Sequence, residues 1–421
     1  MTLPKRLART LLGGALATAS ATSLASLGPY EPGNGIKAQG LGGITYAVGE
    51  ETTALYGNPA HLFNLGERID LGITFPTPIG QTEIRGNALA PDQSSKVAGR
   101  RFFYIPQGGF SRRLSERWMF GMTAFAAGLG TDFTSSPYER FGGSKRAALF
   151  LSSSGVATAL AYQLTPRNVI GATLNLGYQT IEIEGFQFLA DPAISENPDK
   201  VSNQGKDGAF NIGFNIGWLG KITDRLNAAV AYRSKTWAEK HDDYSGILPE
   251  QGRFEFPAIF GAGLAYAFTP QLTLAFDYQR YQYSSQKAFG HRIARLSQGN
   301  LLGSDNGPGF GLENQDAYKF GVLWNPDNAW TYRLGYISAT QMAQASENFF
   351  GGLGLVSAST HFSGGLSYQF QKWEVSGSAI YSKPQKVKGR DSIPAAFGGG
   401  ESNTRTETLI YGFTIGTRFG S

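Results

Sequence analysis

Residues 208 to 218 read GAFNIGFNIGW, so that Phe210, Ile212, Phe214, Ile216 and Trp218 alternate with Asn211, Gly213, Asn215 and Gly217. A period of two belongs to an extended strand and gathers the large apolar side chains on one face. The constraint lies in the opposite face, which is small and rich in amides. Such a strand needs an oily medium on one side and a tight or partly wet space on the other. The pattern recurs as RIDLGITF at 68–75, IGATLNLGY at 170–178 and LTLAFDYQ at 272–279, and again over 226–233, 318–324, 330–336 and 409–419.

Weaker alternating stretches near 101–110, 117–127, 155–164, 257–268, 361–370 and 373–381 bring the total to about fourteen strands. Their connections alternate in length. Short turns lie at 111–117, 164–168, 220–225, 268–271, 325–329 and 370–372. Long polar loops lie near 77–100, 128–154, 180–207, 235–256, 282–315, 338–359 and 382–405. An even strand count with turns at one end and loops at the other is the pattern of an outer-membrane barrel. Tryptophan supports it independently: Trp118, Trp218, Trp324, Trp330 and Trp373 adjoin short turns, and only Trp237 adjoins a long loop. Indole prefers the lipid–water boundary, so the cluster marks one interface. A soluble β-sandwich also alternates, but has no reason to collect its tryptophans at one end.

No run of 18 or more apolar residues follows the N-terminus, so no helical span is expected. The mean hydropathy of −0.21 is blind to strands that are apolar at every second residue. The first 26 residues carry Lys5, Arg6 and Arg9, then a mild apolar run, then small residues, as in a secretory signal peptide cut after Ala19, Ala21 or Ala25. Its removal takes three positive charges from the net +5 and leaves 34 basic residues against 32 acidic. A nucleic-acid partner then has no electrostatic support. The lack of cysteine excludes disulfides and thiolate metal sites, and suits an oxidising compartment.

The expected fold is all-β: a fourteen-stranded antiparallel transmembrane β-barrel over 67–421, with residues 27–66 as a small N-terminal plug inside the lumen. Fourteen strands with glycine-rich inner faces enclose a wide hole. The segment before the first strand is apolar enough, with Leu41, Ile44, Tyr46, Leu55, Tyr56, Leu62 and Phe63, to fold into it. Asn175, Asn211, Asn215 and Asn227 face the lumen as a hydrogen-bonding lining. Arg233 and Arg333 point inward too, where acids such as Asp277 or Glu374 are the expected partners.

The stretch GNGIKAQGLGGITYAVGEETTALYGNPAHL resembles the N-terminal hatch of FadL-type outer-membrane transporters of long-chain fatty acids and other hydrophobic compounds. The matching pieces are Gly40, Gly42 and Gly43, the acidic pair Glu50 and Glu51, and above all Asn58, Pro59 and Ala60. GPGFG at 307–311 and Phe419 look like a subgroup of that family. His61 departs from the family's usual Gly, and the chain ends Phe419-Gly420-Ser421 instead of on the aromatic. The resemblance implies passive uptake across the outer membrane of a Gram-negative bacterium: capture by the outer loops, an apolar pocket between hatch and wall, and sideways exit at a kinked third strand. Leu55, Tyr56, Leu62 and Phe63 are the pocket candidates. Gly121, Gly128 and Gly130, in the strand near 117–131, are the lateral-gate candidates, although the same glycines would serve equally to ease strand curvature.

The expected partners are a hydrophobic small molecule, outer-membrane lipid and lipopolysaccharide, and the barrel-assembly machinery during biogenesis, with the chain a monomer. The rival readings are a general diffusion porin for polar solutes and a surface receptor or structural barrel. No enzyme is expected. His61, His241, His291 and His361 lack metal-ligand spacing, no G-x-S-x-G occurs, and no catalytic residue, metal or cofactor is nominated. His241-Asp242-Asp243 and Asp305-Asn306 read as solvated loop charge.

Overall fold

The computed structural model describes residues 27–98, 103–327, 329–353 and 359–419. The expected signal peptide, 1–26, lies outside the described residues. Sixteen strands form one antiparallel sheet. Two are short additions at the loop end, Gln93–Lys96 and Trp237–Ala238. The other fourteen are β1 (Arg68–Arg85), β2 (Ile105–Arg113), β3 (Trp118–Phe133), β4 (Ala147–Thr165), β5 (Asn168–Glu184), β6 (Asp207–Lys221) and β7 (Leu226–Arg233), followed by β8 (Ile259–Ala267), β9 (Leu272–Tyr281), β10 (Gln315–Trp324), β11 (Trp330–Ala339), β12 (Thr360–Phe370), β13 (Trp373–Val387) and β14 (Glu401–Arg418). Each pairs with the next, and β14 closes on β1 from Arg68↔Arg418 to Arg85↔Glu401. The fold is the expected closed barrel.

Alternation decides which side chains face out. Along β6, Asn211, Gly213 and Asn215 are buried while Ile212, Phe214 and Ile216 are exposed. Leu71, Leu334 and Phe413 are likewise more than half exposed on the outer face. In water that surface would be a severe liability; in a bilayer it is the contact surface with lipid tails. Along the paired stretches backbone groups are satisfied strand to strand, as lipid requires.

Several strands are longer than the alternation suggested. β1 and β14 run together for 18 residues each. Beyond Ile79 the outward positions of β1 are Gln81, Glu83 and Arg85, so the strand continues above the apolar band and loses its hydrophobic signature there. β2 is displaced in the other direction. Residues 111–113, read as turn because they are Ser-Arg-Arg, are its last three positions, and Ser111 points inward to donate to the Gly66 carbonyl at 2.6 Å.

Candidate functional site

Most of the segment before β1 is buried, and residues such as Gly40, Leu41, Tyr46, Leu55, Asn58 and Leu62 pack against inward-facing positions of the wall. Asn58 organises the segment's centre. Its Oδ1 accepts from the Ala60 amide at 3.1 Å, which caps the short helical turn Pro59–His61, and its Nδ2 donates to the carbonyls of Tyr46 at 3.0 Å and Trp218 at 3.2 Å. Asn-Pro is well suited to this: the amide fills the cap, and proline has the backbone angle of a first helical position and no N–H to leave unpaired. The turn is pressed against β5 and β6. A Cβ on Gly171 would stand 2.7 Å from Pro59 C, and one on Gly217 would stand 2.1 Å from Asn58 Oδ1. The small inner face of β6 is therefore shaped to the segment it holds.

The wall supplies acceptors and donors where the segment's backbone needs them. Asp277 Oδ2 accepts from the amides of Thr45 at 2.7 Å and Tyr46 at 3.0 Å, and Asp70 Oδ2 from Thr52 at 2.8 Å. Asn215 Nδ2 donates to the Tyr56 carbonyl at 2.8 Å, and Lys319 Nζ to the carbonyls of Pro32 at 2.8 Å and Gly43 at 3.1 Å. Arg233 and Arg333 find partners other than the expected wall acids. Arg333 makes a two-pronged pair with Glu50, at 2.8 and 2.7 Å, and Arg233 donates to the Tyr56 carbonyl while lying 3.6 Å over the Tyr56 ring. Glu374 is taken by Lys37 and by Arg68. The inward arginines thus secure the N-terminal segment. Arg333 is buried, and although burial alone would raise the Glu50 carboxyl, the Arg333 charge holds it below its usual range. Burial dominates at Glu51 and pushes it up to about 7.

The four pocket candidates do not share one cavity. Leu55 and Leu62 are fully buried and pack with Leu41, Ile44 and Tyr46 against small inward residues such as Ala159, Ala231 and Ala265. Phe63 is only partly buried and lines an open cavity of about 670 Å³ at the short-turn end, beside Arg113 and Arg167. Tyr56 stacks on Phe125 of β3, with centroids 4.5 Å apart.

That stack stands where the wall changes. β2 pairs with β3 only from Gly109↔Thr123 to Arg113↔Met119. Above it β3 continues for ten residues, paired on its other side to β4 throughout. Among the described residues no strand pairs with the free edge of residues 124–133, and the contact of Ala98 N with Asp132 O at 3.1 Å marks the top of the gap. The N-terminal segment covers the gap from within. Gly128 N donates to Pro29 O at 2.7 Å, and Gln107 Nε2 of β2 donates to Glu31 Oε2 at 2.9 Å. Of the gate candidates, Gly128 and Gly130 lie along this free edge, while Gly121 lies in the paired part, where its lack of a side chain makes room for Leu55 and Leu62.

The profile of the family described as "Outer membrane protein transport protein (OMPP1/FadL/TodX)" matches residues 34–419. The chain belongs to this family. Its members are transporters, not an enzyme family, and the chain is an outer-membrane barrel of the Gram-negative type. No curated protein sequence matches it. Among solved structures it resembles the toluene transporter TodX of P. putida, with 17% identity over 94% of this chain and 100% of that one and a TM-score of 0.69. A Pseudomonas aeruginosa FadL homologue shares 15% identity over 93% of this chain and 100% of its own, with a TM-score of 0.69. The toluene transporter TbuX of Ralstonia pickettii shares 17% identity over 92% and 99% of the two chains, with a TM-score of 0.63.

Within this FadL-type frame His61 has a local explanation. Its ring is fully buried, Nε2 lies 3.1 Å from the Thr45 carbonyl, and a Cβ on Gly49 would stand 2.4 Å from its Cγ. The space missing at residue 49 accommodates the ring at 61. Burial lowers the imidazole to about 4, so it is neutral and donates through Nε2. The undocked form binds the proton more readily. Stability from His61 is therefore full above about 6.5 and lost as pH falls toward 4. Glu51 has the opposite sign, so the His61 effect is the difference between wild type and His61→Gln. Relative to His61→Gln, protease cleavage of the wild type within 27–66 should increase between pH 6.5 and 4; parallel profiles would reject the assignment.

The GPGFG stretch also has a place. Pro308, Gly309 and Phe310 line a small apolar cavity of about 40 Å³ at the loop end, with Phe186, Ile247 and Phe350. Beside it, Tyr138, Phe141, Phe186, Phe188, Phe349 and Phe397 form a continuous cluster of rings from four loops. The gap is also marked in the sequence by prolines. Pro76 and Pro78 lie in β1 just beyond its pairing with β2, and Pro106 lies in the part of β2 that has no β3 partner. Proline lacks the donor that a strand with two neighbours needs, so three prolines in adjacent strands mark an edge.

Proposed function

We propose that the chain takes up long-chain fatty acids or other hydrophobic small molecules passively, by loop capture, transfer to the boundary between hatch and wall, and lateral release through the gap above β2. In this reading residues 1–26 are a signal peptide removed on export, 27–66 are the hatch, and 67–421 are the barrel. The observation that carries it is the edge of β3 over 124–133, which pairs with no strand among the described residues and is covered from inside by Pro29 and Glu31. An apolar molecule leaving there meets lipid without crossing water. The apolar rings of the outer loops suit the capture step. Asn58, Pro59 and Ala60 seat the hatch, and Leu55 and Leu62 anchor it. Tyr56, at the gap, is the pocket candidate best placed to meet cargo, and Gly128 and Gly130 are the gate positions.

Magnitudes require a movable hatch. Burying one methylene is worth about 0.8 kcal/mol, so a sixteen-carbon tail would gain on the order of 10 kcal/mol in a dry pocket. Release without an energy source then needs a change that weakens the last site. Lipopolysaccharide and lipid surround the barrel in this account, the assembly machinery inserts it, and it works as a monomer.

A hatch hydrogen-bonded to the wall on every side disfavours the diffusion porin. In planar bilayers the wild type should show little ion conductance, while proteoliposomes containing it should take up a labelled fatty acid or alkane faster than empty ones. Steady nanosiemens currents would favour the porin. Absence of protein-dependent uptake would leave the surface receptor. Mass spectrometry of molecules that co-purify with the barrel would narrow the cargo.

A further inference from the structure

The inner side of the gap is less apolar than its surroundings. Glu31 Oε2 accepts from Gln107 Nε2 at 2.9 Å, and the same Nε2 lies 2.9 Å from Thr74 Oγ1. The remaining polar atoms of the group have no partner: Glu31 Oε1, Gln107 Oε1, and both Oε1 and Nε2 of Gln39 are sealed from water and unbonded. Gln39 is fully buried; its amide lies close enough to the Glu31 carboxyl to favour the ionised form, but no well-formed hydrogen bond joins the two. Buried amides are almost always paired, and leaving one unpaired is costly. Elsewhere the segment is held by Asn58, Asp70 and Asp277, and the other unpartnered atoms there, such as Thr52 Oγ1, Thr53 Oγ1 and His61 Nδ1, belong to separate residues and do not converge on one polar group.

Resting on the lateral-exit reading above, we propose that Glu31, Gln39 and Gln107 form a hydrogen-bonding subsite for the single polar head of an otherwise apolar cargo. The head is a hydroxyl or uncharged carboxyl group, and it displaces the Glu31–Gln107 bond as the cargo passes. The unpaired set contains both donors and acceptors, at Gln39 Nε2 and at the three oxygens, so a head that is itself donor and acceptor complements it. A hydrocarbon satisfies none of these atoms. Burial pushes the Glu31 carboxyl up to about 8, so near neutral pH it is largely protonated and adds a donor. The location gives the contact a consequence. Glu31 is two residues from Pro29, whose carbonyl holds the free edge at Gly128, so a head that takes the place of Gln107 loosens the cover over the gap.

The test compares two probes with one skeleton, labelled 1-decanol and decane, in proteoliposomes of the full-length mature protein. The wild type should transport decanol faster relative to decane than passive leak does. Gln39→Leu, similar in volume and without polar atoms, should lower the decanol-to-decane ratio by about tenfold, as the loss of one good buried hydrogen bond implies. Gln107→Met should do the same, and serves where Gln39→Leu fails to fold. A ratio unchanged in the folded variants means that the atoms hold ordered water only and overturns the subsite while leaving transport intact. No protein-dependent uptake of either probe overturns both readings.

Discussion

With Thr52→Cys and Gly109→Cys installed together, oxidation should stop uptake and reduction should restore it. Thr52 belongs to the N-terminal segment and Gly109 to β2, and a Cβ on Gly109 would stand 3.0 Å from Thr52 Oγ1. That separation suits the Cβ of one cysteine and the sulfur of the other in a bridge. The chain has no cysteine of its own to compete. The bridge would tie the segment to the last paired stretch of wall below the gap; a Cβ on Gly109 would also stand 2.3 Å from the Met122 carbonyl oxygen, so β2 and β3 must ease apart there in the reduced and oxidised forms alike. Initial rates for a labelled fatty acid should fall at least tenfold in the oxidised double variant relative to the same variant reduced, which carries the same crowding at residue 109. Undiminished uptake with the bridge formed would mean that cargo passes without the hatch moving.

The opposite perturbation is Gly171→Val. Even a methyl group at 171 would lie 2.7 Å from Pro59 C and 2.8 Å from Ala60 N, both backbone atoms within a turn fixed by the Asn58 cap. Backbone cannot step aside as a flexible side chain can, and overpacking of this kind costs about 1–3 kcal/mol or more. The barrel, closed by strand pairing elsewhere, is expected to assemble. The hatch should lose its seat, so that planar bilayers containing Gly171→Val carry steady ion currents where the wild type carries little. Silent bilayers together with unchanged protease resistance of residues 27–66 would show that the close contact at Gly171 is not what seats the hatch.

The barrel could be read from the chain because lipid imposes a strict rule on outward positions, and β6 obeys it residue by residue. What lay outside the lipid could not be read that way. β1 and β14 continue upward with Gln81, Glu83 and Arg85 facing water, where no alternation of hydrophobicity is required. In the interior, apolarity marked burial and not vacancy: Leu55 and Leu62 fill space against wall alanines and leave none for a ligand. The inward amides and arginines were legible as polar positions, but their partners were not. Asn215, Arg233 and Arg333 meet atoms more than 150 residues away in sequence, and those bonds end on the Tyr56 carbonyl or on Glu50, in a segment whose position no local pattern specifies. The gap was written more plainly than the glycines near 121–130 suggested, in Pro76, Pro78 and Pro106.

The seam between β1 and β14 has a consequence for biogenesis. The first and last strands pair over 18 positions, so the cylinder has no complete circumference until the final residues have been made. By then the leading forty or so residues are already present, and their ties run to both flanks of the join: Thr52 to β1, Lys37 to β13. Zipping those two strands around a stopper already in place avoids threading it later through a finished ring. The stopper can then act as a mandrel, drawing distant strands together before the last hydrogen bonds form. Chains lacking it should insert more slowly than intact ones, even where the empty cylinder is stable once made.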